Sequence, residues 1–276
     1  MTEVGVDILF LAHNRAHYIR KTLPRLLASV PEGTRVWIWQ NENYPEVSRL
    51  LDQHRDDPRV FRIHRNPTNA GLVAPTNWIW REAEGGLIGK VDDDCLVPDG
   101  WVELMAEAHE ASDQLGVIAM WPFPASDLLP ETLHRRGLTL GEGRHLLQNC
   151  WVGGSGYLMK RKCISVNGLV SDRRSFTRYC IDLSAFGYLV GWHHPLILQD
   201  HMEDPRSDYC TIRTDTDLVE QRPQAISLLP EPTVKAWIEQ HEELAKGVQT
   251  ASLDPKDHQT PRQRLSWRLR RFRSPR

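Results

Sequence analysis

"GLIGKVDDDCLVPDGW", Gly86–Trp101, is the stretch whose reading decides the fold. An apolar run enters it, three aspartates follow, and a Pro98-Asp99-Gly100 turn closes it. The run reads as a strand buried on both faces, which is how strands of a parallel sheet read. Adjacent carboxylates repel one another, and their desolvation is costly unless something positive sits among them. The triplet therefore asks for a cation at the end of a buried strand.

Upstream the same grammar repeats. "VDILFLAHN", "RVWIWQNEN" and "RVFRIHRN" are strands with polar exits, separated by helical patterns over "RAHYIRKTLPRLLAS", "EVSRLLDQHRD" and "APTNWIWREAEG". Pro24 either kinks the first helix or marks its effective start. Strand and helix alternate four times, the pattern of an open, mainly parallel α/β sheet, where ligands bind at the carboxyl ends of the strands. His13-Asn14-Arg15, Gln40-Asn41-Glu42, His64-Arg65-Asn66 and Asp92-Asp93-Asp94 are expected along one edge.

Downstream, "WVELMAEAHEAS" reads as a helix, "LGVIAMWPF" and "WVGGSGYLMKR" as strands, and "IDLSAFGYLVGW" as a helix. "HPLILQDHMEDP" reads as a strand with a polar exit, and "TVKAWIEQHEELAKGV" as an amphipathic helix. Residues 124–147 are expected to be irregular and residues 168–178 a polar loop. With 276 residues, 40% hydrophobic and 25% charged, the composition is that of an ordinary globular protein with a sizeable core.

Residues 261–276, "PRQRLSWRLRRFRSPR", hold seven arginines and no acid, so a chain of net charge −2 leaves about −9 for residues 1–260. Five cysteines without a C-x-x-C spacing argue against a disulfide framework or a zinc knuckle and for a reducing, cytoplasmic compartment. "VDILFLA" is too short for a signal core or a membrane span. The body carries no basic stripe, which excludes nucleic acid as the expected partner. As a helix, the tail would set Leu265, Leu269 and Phe272 on one face among arginines, suited to peripheral binding at an anionic membrane surface; a disordered basic end is the alternative.

Oxygen ligands suit a hard divalent cation, Mn²⁺ or Mg²⁺, bridging protein carboxylates to substrate phosphates. If the triplet is extended, side-chain alternation turns Asp92 and Asp94 one way and Asp93 the other.

Over roughly residues 6–205 the chain resembles the family-2 glycosyltransferases, which have the GT-A nucleotide-diphospho-sugar transferase fold. The pieces that carry the resemblance are "VDILFLAHNRAHYIRKTLPRLL", "VWIWQNEN", "NAGLVAPTNWIW" before "GKVDDDCLVPDGW", "VGGSGYLMKRKCISVNGL", "YCIDLSAFGYLVGW" and "LILQDHMEDPRS", in the family's order. It implies an α/β fold of GT-A type: a single Rossmann-like, mainly parallel central sheet flanked by helices, with a smaller acceptor-side subregion. Residues 1–100 would be the nucleotide-sugar-binding half and 101–215 the acceptor-binding half of one domain, with a helical extension over 216–260 and the basic tail over 261–276.

The resemblance places His13, Asn14 and Arg15 at the nucleotide, and Asn41 at the base, where relatives often have Asp. Asn69, Gly71 and Asn77 fall beside base and ribose. Asp92 and Asp94 match the D-x-D pair, with Asp93 between them, and Asp94, Asp92 and His201 form the implied metal set. Gly154, within "GGSG", lies in the implied floor beneath the donor sugar. Helix caps for Asn14 and Asn41, a plain turn for Gly71, a surface role for His201 and a flexible strand entrance for "GGSG" are the structural alternatives. The family's usual base falls on Cys180, a poor proton acceptor for a hydroxyl. Asp182 is then the first choice of base and Asp204, with Glu203, the second; a helix cap or a buried pair with Arg178 is the alternative for Asp182.

The implied activity is inverting, metal-assisted transfer of a sugar from a UDP-, GDP- or dTDP-linked donor to a hydroxyl of a glycan or lipid-linked acceptor, chemistry of the kind that builds polysaccharides. Two other classes stay open. One is a non-catalytic nucleotide-sugar or glycan binder. The other is a sugar-phosphate nucleotidyltransferase, against which "LAHNRAHY" offers no Gly-rich phosphate loop.

Overall fold

The computed structural model of the chain describes residues 5–141, 143–222, 226–227 and 229–260. The basic tail lies outside them. Strands β1 (Val6–Ala12), β2 (Arg35–Asn41), β3 (Val60–Asn66) and β4 (Leu87–Asp92) alternate with helices α1 (Ala16–Ser29), α2 (Pro45–Asp52) and α3 (Val73–Glu82). α1 runs unbroken through Pro24. After the short β5 (Cys95–Leu96) come α4 (Trp101–Ala111), β6 (Leu115–Ala119) and α5 (Thr132–Arg136). Then follow β7 (Gly137–Gly141), β8 (Arg144–Asn149), β9 (Tyr157–Lys160), α6 (Lys162–Asn167), α7 (Phe176–Ala185), β10 (Leu189–His194) and β11 (Asp200–His201). Helices α8 (Asp215–Gln221) and α9 (Val234–Thr250) complete the described chain.

Nine strands form one sheet in the order β3-β2-β1-β4-β9-β6-β10-β8-β7, and β11 and β5 form a second, two-stranded sheet. β1, β2, β3 and β4 are mutually parallel, and β6 and β10 pair in parallel. β9 is antiparallel to both β4 and β6, and β8 is antiparallel to both β10 and β7. The fold is the mainly parallel, helix-flanked α/β sheet expected. Every residue of β1 is buried: Ile8 and Phe10 face a core with α1 and α4, while Leu9 and Leu11 face a core with α3 and α7. Period-2 alternation thus feeds two apolar layers, which explains the uninterrupted hydrophobic run. From β1 the sheet grows one way to β2 and β3, the other way to β4. Such a reversal opens a crevice beyond the carboxyl ends of β1 and β4.

Three expectations for the second half are corrected. Residues 124–147 hold α5, the edge strand β7 and most of β8 rather than irregular chain. "IDLSAFGYLVGW" is not one helix: α7 stops at Ala185, Gly187 takes φ +91°, and the chain re-enters the sheet as β10. This is glycine's usual role just past a helix end. "HPLILQDHMEDP" is not one strand: His194 ends β10, Leu198 makes an isolated bridge to Trp121, and Asp200–His201 forms β11.

Two buried polar residues anchor the frame. At the amino end of β1, Asp7 accepts from Arg35 Nε (2.7 Å) and Nη2 (2.8 Å), Trp37 Nε1 (2.7 Å) and the Gly85 amide (2.7 Å). On α4, His109 Nε2 donates to the Leu158 carbonyl (3.1 Å), and burial pushes its imidazole down to about 4. The unfolded chain, with an ordinary value near 6.5, takes up a proton the fold refuses. The stability this contributes is fully present above about pH 6.5 and falls as pH drops toward 4, by about 3 kcal/mol in all. In urea unfolding, the advantage of the native chain over His109→Gln is expected to shrink by about 2 kcal/mol between pH 7 and pH 5. An unchanged difference would show that the imidazole is not held neutral.

The helical extension packs back on the domain: Gln249 on α9 accepts from the Leu129 amide (2.7 Å) and Thr132 Oγ1 (2.6 Å), and Trp237 Nε1 donates to the Glu203 carbonyl (3.2 Å). Among the described residues, no helix is long and apolar enough to cross a membrane.

Candidate functional site

Asp92 closes β4, and the chain turns at Asp93 and Asp94 before β5. The small sheet pairs His201 with Cys95, and the Met202 amide donates to the Asp94 carbonyl (2.9 Å), so the β11 segment is laced to the triplet. Because the chain turns here, the alternation expected of an extended triplet is not what is found. Asp93 and Asp94 share one cation and Asp92 has another.

Those cations come from the chain itself. Arg15, immediately before α1, places Nη2 at 2.6 Å from Asp93 Oδ1 and Nη1 at 2.7 Å from Asp94 Oδ2 and 2.6 Å from Glu203 Oε1. Arg222, just past α8, holds the other oxygen of Glu203. Lys90 pairs with Asp92 and donates to the Gly154 carbonyl (2.9 Å). Asp93 also accepts from the His13 amide (2.8 Å), and Ser155 Oγ accepts from the Asp92 amide (2.9 Å). Four carboxylates thus face three fixed cations. Burial pushes Asp93 and Glu203 up despite Arg15. Burial would raise Asp94 too, but the charges of His201 and Arg15 outweigh it and hold that carboxyl well below its usual range.

One ligand atom each from Asp94, Cys95 and His201 lies within 4.8 Å of the others, and His201 Nε2 is 3.7 Å from Asp94 Oδ2. Burial pushes the Cys95 thiol well above its ordinary value, and it donates to Asp94 Oδ1 (3.2 Å), while Gln199 Nε2 donates to its sulfur (3.1 Å). A thiol kept protonated is no ligand for a hard cation. An ionised carboxylate beside a half-exposed imidazole suits Mn²⁺ or Mg²⁺, with phosphate oxygens and water completing the shell. The donor set fits the expected metal through Asp94 and His201, with Asp94 also paired to Arg15 and Asp92 to Lys90.

The other expected residues divide. His13 lies at the carboxyl end of β1, its Nε2 3.3 Å from Asn69 Nδ2 and 3.4 Å from Glu42 Oε2. Asn14 lines a polar cavity of about 420 Å³ with Arg15, Tyr18 and Glu203; the residue that caps α1 is Arg15, not Asn14. Asn41 is buried and holds the next segment: its Nδ2 donates to Asn69 Oδ1 (2.9 Å) and the Gly71 carbonyl (3.2 Å), and its Oδ1 accepts from the Ala70 amide (2.7 Å). Gly71 has φ +65° with open space where a Cβ would stand, so the turn accounts for it. Asn77 is buried and exchanges bonds with the Val170 backbone (3.0 and 3.2 Å), which holds a loop rather than a ligand. At Gly154 a Cβ would meet nothing within 4 Å, leaving room above the floor. Gly156 is the glycine the packing requires, with φ +68° and Gln199 Oε1 only 1.8 Å from a Cβ.

The candidate bases also separate. Asp182 has no exposed side-chain surface; Arg178 Nη2 donates to Oδ1 (2.9 Å) and Arg174 Nη1 lies 3.9 Å from Oδ2. This is the buried-pair alternative, widened to two arginines: it encloses Asp182 on α7. Cys180 is fully buried beside it. Asp204 and His201 instead line a cleft of about 790 Å³ with Phe123, Leu198, Gln199 and Tyr209. Arg206 Nη2 anchors Asp204 Oδ2 (2.7 Å); burial would raise this carboxyl, but the Arg206 bonds hold it below the ordinary range. Glu203 is enclosed between Arg15 and Arg222. No sequence signal singled out Arg222, Lys90 or Gly156.

The family model for glycosyl transferase family 2 matches residues 7–163. No protein of curated function matches the sequence. Among solved structures, the mannosyltransferase PcManGT from Pyrobaculum calidifontis, in complex with GDP-Man and Mn²⁺, superposes with a TM-score of 0.53 at 16% identity, covering 97% of this chain and 83% of that one. S. aureus TarS 1–349 in complex with UDP-GlcNAc gives 0.55 at 13% identity, covering 98% and 89%. GalNAc-T7 with UDP, GalNAc and Mn²⁺ gives 0.56 at 11% identity, covering 86% and 54%. At these identities the likeness is one of fold.

Proposed function

The chain belongs to glycosyl transferase family 2 and is a glycosyltransferase, and we propose that it moves a sugar, with inversion, from a nucleoside-diphospho-sugar to a hydroxyl of a glycan or lipid-linked acceptor. The observation that carries the reading is the triplet at the β1/β4 crevice, where Asp94 stands ionised against His201 with Arg15 beside it. Asp94 and His201 would hold a divalent cation, which when bound would supply Lewis-acid stabilisation to a departing diphosphate.

The chain's own groups do the rest. Lys90, fixed between Asp92 and Gly154, ties the acidic turn to the floor over which the sugar lies. Arg15 offers a planar, permanently charged donor fork suited to phosphate oxygens. Asp204, on the cleft beside His201, takes the acceptor hydroxyl's proton as the oxygen attacks from the face opposite the diphosphate. The apolar wall of Phe123, Leu198 and Tyr209 suits the faces of an acceptor sugar. All five cysteines are free, which supports a reducing, cytoplasmic setting, and the arginines of residues 262–276 would draw the enzyme to an anionic membrane carrying a lipid-linked acceptor.

The test is a thermal-shift screen of UDP-, GDP- and dTDP-sugars with Mn²⁺ or Mg²⁺. A donor at a hundred times its Kd stabilises the native state by about 2.7 kcal/mol, a rise in Tm of roughly 5–10 °C for a chain of this size. Flat melting curves with every donor and both metals would defeat the proposal.

A further inference from the structure

The donor reading leaves open which base is recognised, and the residue expected to recognise it is turned to the 69–71 segment: Asn41 is 4% exposed, its Nδ2 donates twice there and its Oδ1 accepts from the Ala70 amide. Its neighbour is not. Glu42 has φ +81°, and among the described residues it is the one non-glycine residue with positive φ. An L-residue with a Cβ held there costs about 1 kcal/mol or more, and such strain persists where the surroundings over-determine it. Here Tyr44 Oη donates to Oε2 (3.0 Å) and His13 Nε2 approaches the same oxygen (3.4 Å). The His13 ring in turn stands edge-on to Tyr44 at 5.5 Å. No hydrogen bond within the described chain reaches Oε1. The side chain keeps 40% of its surface exposed at the carboxyl end of β2, beside the β1/β4 crevice. A strained backbone, an aimed carboxylate and a free acceptor oxygen make a recognition element.

We propose that Glu42 reads the donor's base, and that the base is guanine; this rests on the donor reading above. A carboxylate only accepts hydrogen bonds. Adenine and cytosine present a ring-nitrogen lone pair where Glu42 needs a donor, and are repelled. Uracil and thymine present one N–H flanked by two carbonyl oxygens, so one bond forms against two repulsions. Guanine presents N1–H and the N2 amine side by side, and both find the carboxylate. The exposed Asn69 amide, beside His13, supplies a donor for the guanine O6. A base that closes over this carboxylate without donating to it removes water from the free oxygen and puts no hydrogen bond in its place, which is what separates guanine from its analogues.

The test is calorimetric titration of the full chain with GDP, IDP, UDP, dTDP and ADP in the presence of Mn²⁺. GDP is expected to bind at least about tenfold tighter than UDP or dTDP, IDP (which lacks the N2 amine) about tenfold weaker than GDP, and ADP not measurably. Glu42→Gln, close to isosteric, is expected to bring GDP and UDP within about threefold of each other. Glu42→Gly should lose the same preference while its melting temperature holds or rises, because glycine accepts this φ without strain; a merely structural role would lower it. UDP or dTDP binding tighter than GDP, or a GDP preference that survives Glu42→Gln, would overturn the assignment and leave the donor reading intact. Absence of binding by every nucleoside diphosphate would take both down.

Discussion

Asp94→Asn is expected to reduce sugar transfer, and the slow donor hydrolysis that accompanies it, by about 10³-fold while leaving the fold intact. Asparagine keeps a carbonyl oxygen for the Cys95 thiol and changes no volume, so what is lost is one negative charge at the atom that faces both His201 and Arg15. A hard cation gives up its anionic ligand here, and the several kcal/mol of charge stabilisation it offers the leaving diphosphate goes with it; about 4 kcal/mol is a thousandfold in rate. The apo protein tells a different story. Arg15 retains Asp93 and Glu203, but a carboxyl held well below its usual range is one whose charge stabilises the fold, so the melting temperature without ligand should fall while the chain still folds. Mn²⁺-dependent stabilisation by nucleoside diphosphate should vanish in the same variant. A variant that folds and still transfers sugar at more than a tenth of the native rate would remove Asp94 from the chemistry, and with it the metal assignment.

The sequence carried the strand-helix alternation, the sheet edge and the acidic turn, because these are local: a buried strand must be apolar throughout, and a charge run stands out at its end. It led to the right question about the triplet but to only part of the answer. A metal is the sequence's answer because three adjacent carboxylates at the end of a buried strand ask for a cation. Arg15 lies 77 positions upstream of Asp92 and meets the triplet only because β1 and β4 are neighbours. Glu203 and Arg222 arrive by a still longer route, through β11 and the helical extension. The side-chain use of Asn41 was equally invisible: nothing local tells that an amide after β2 will be absorbed by a turn 28 residues on. The missed β7 and β8 are short, glycine- or charge-bounded strands whose order comes from tertiary pairing: β8 pairs with β10, and β7 forms the edge by pairing with β8. Arg178, one helical turn before Asp182, was legible as its partner; Arg174 was not.

That pair supports the second large effect, a division of labour between two aspartates that sequence comparison alone ranks the other way. Asp182→Ala is expected to destabilise the fold by about 3 kcal/mol, at the low end for a broken buried ion pair. The cost stays at that end because Arg174 also donates to the Asn167 and Leu169 carbonyls (both 2.6 Å) and Arg178 to that of His258 (3.0 Å), so neither guanidinium is stranded. Below its lowered melting temperature this variant should bind donor and transfer sugar at close to the native rate. Asp204→Asn should do the reverse. Weakening the buried Arg206 pair is expected to cost about 2 kcal/mol, below the range for a broken buried pair because Asn keeps an oxygen for Arg206, which also keeps Asp127 (2.9 Å). Transfer should fall by about 10²–10⁴-fold with donor affinity unchanged, the signature of a lost general base. The decisive measurement is single-turnover transfer alongside urea unfolding for both variants. Native stability with abolished transfer in Asp182→Ala, or native transfer in Asp204→Asn, would return the base to α7 and require the helix to open before the acceptor can react.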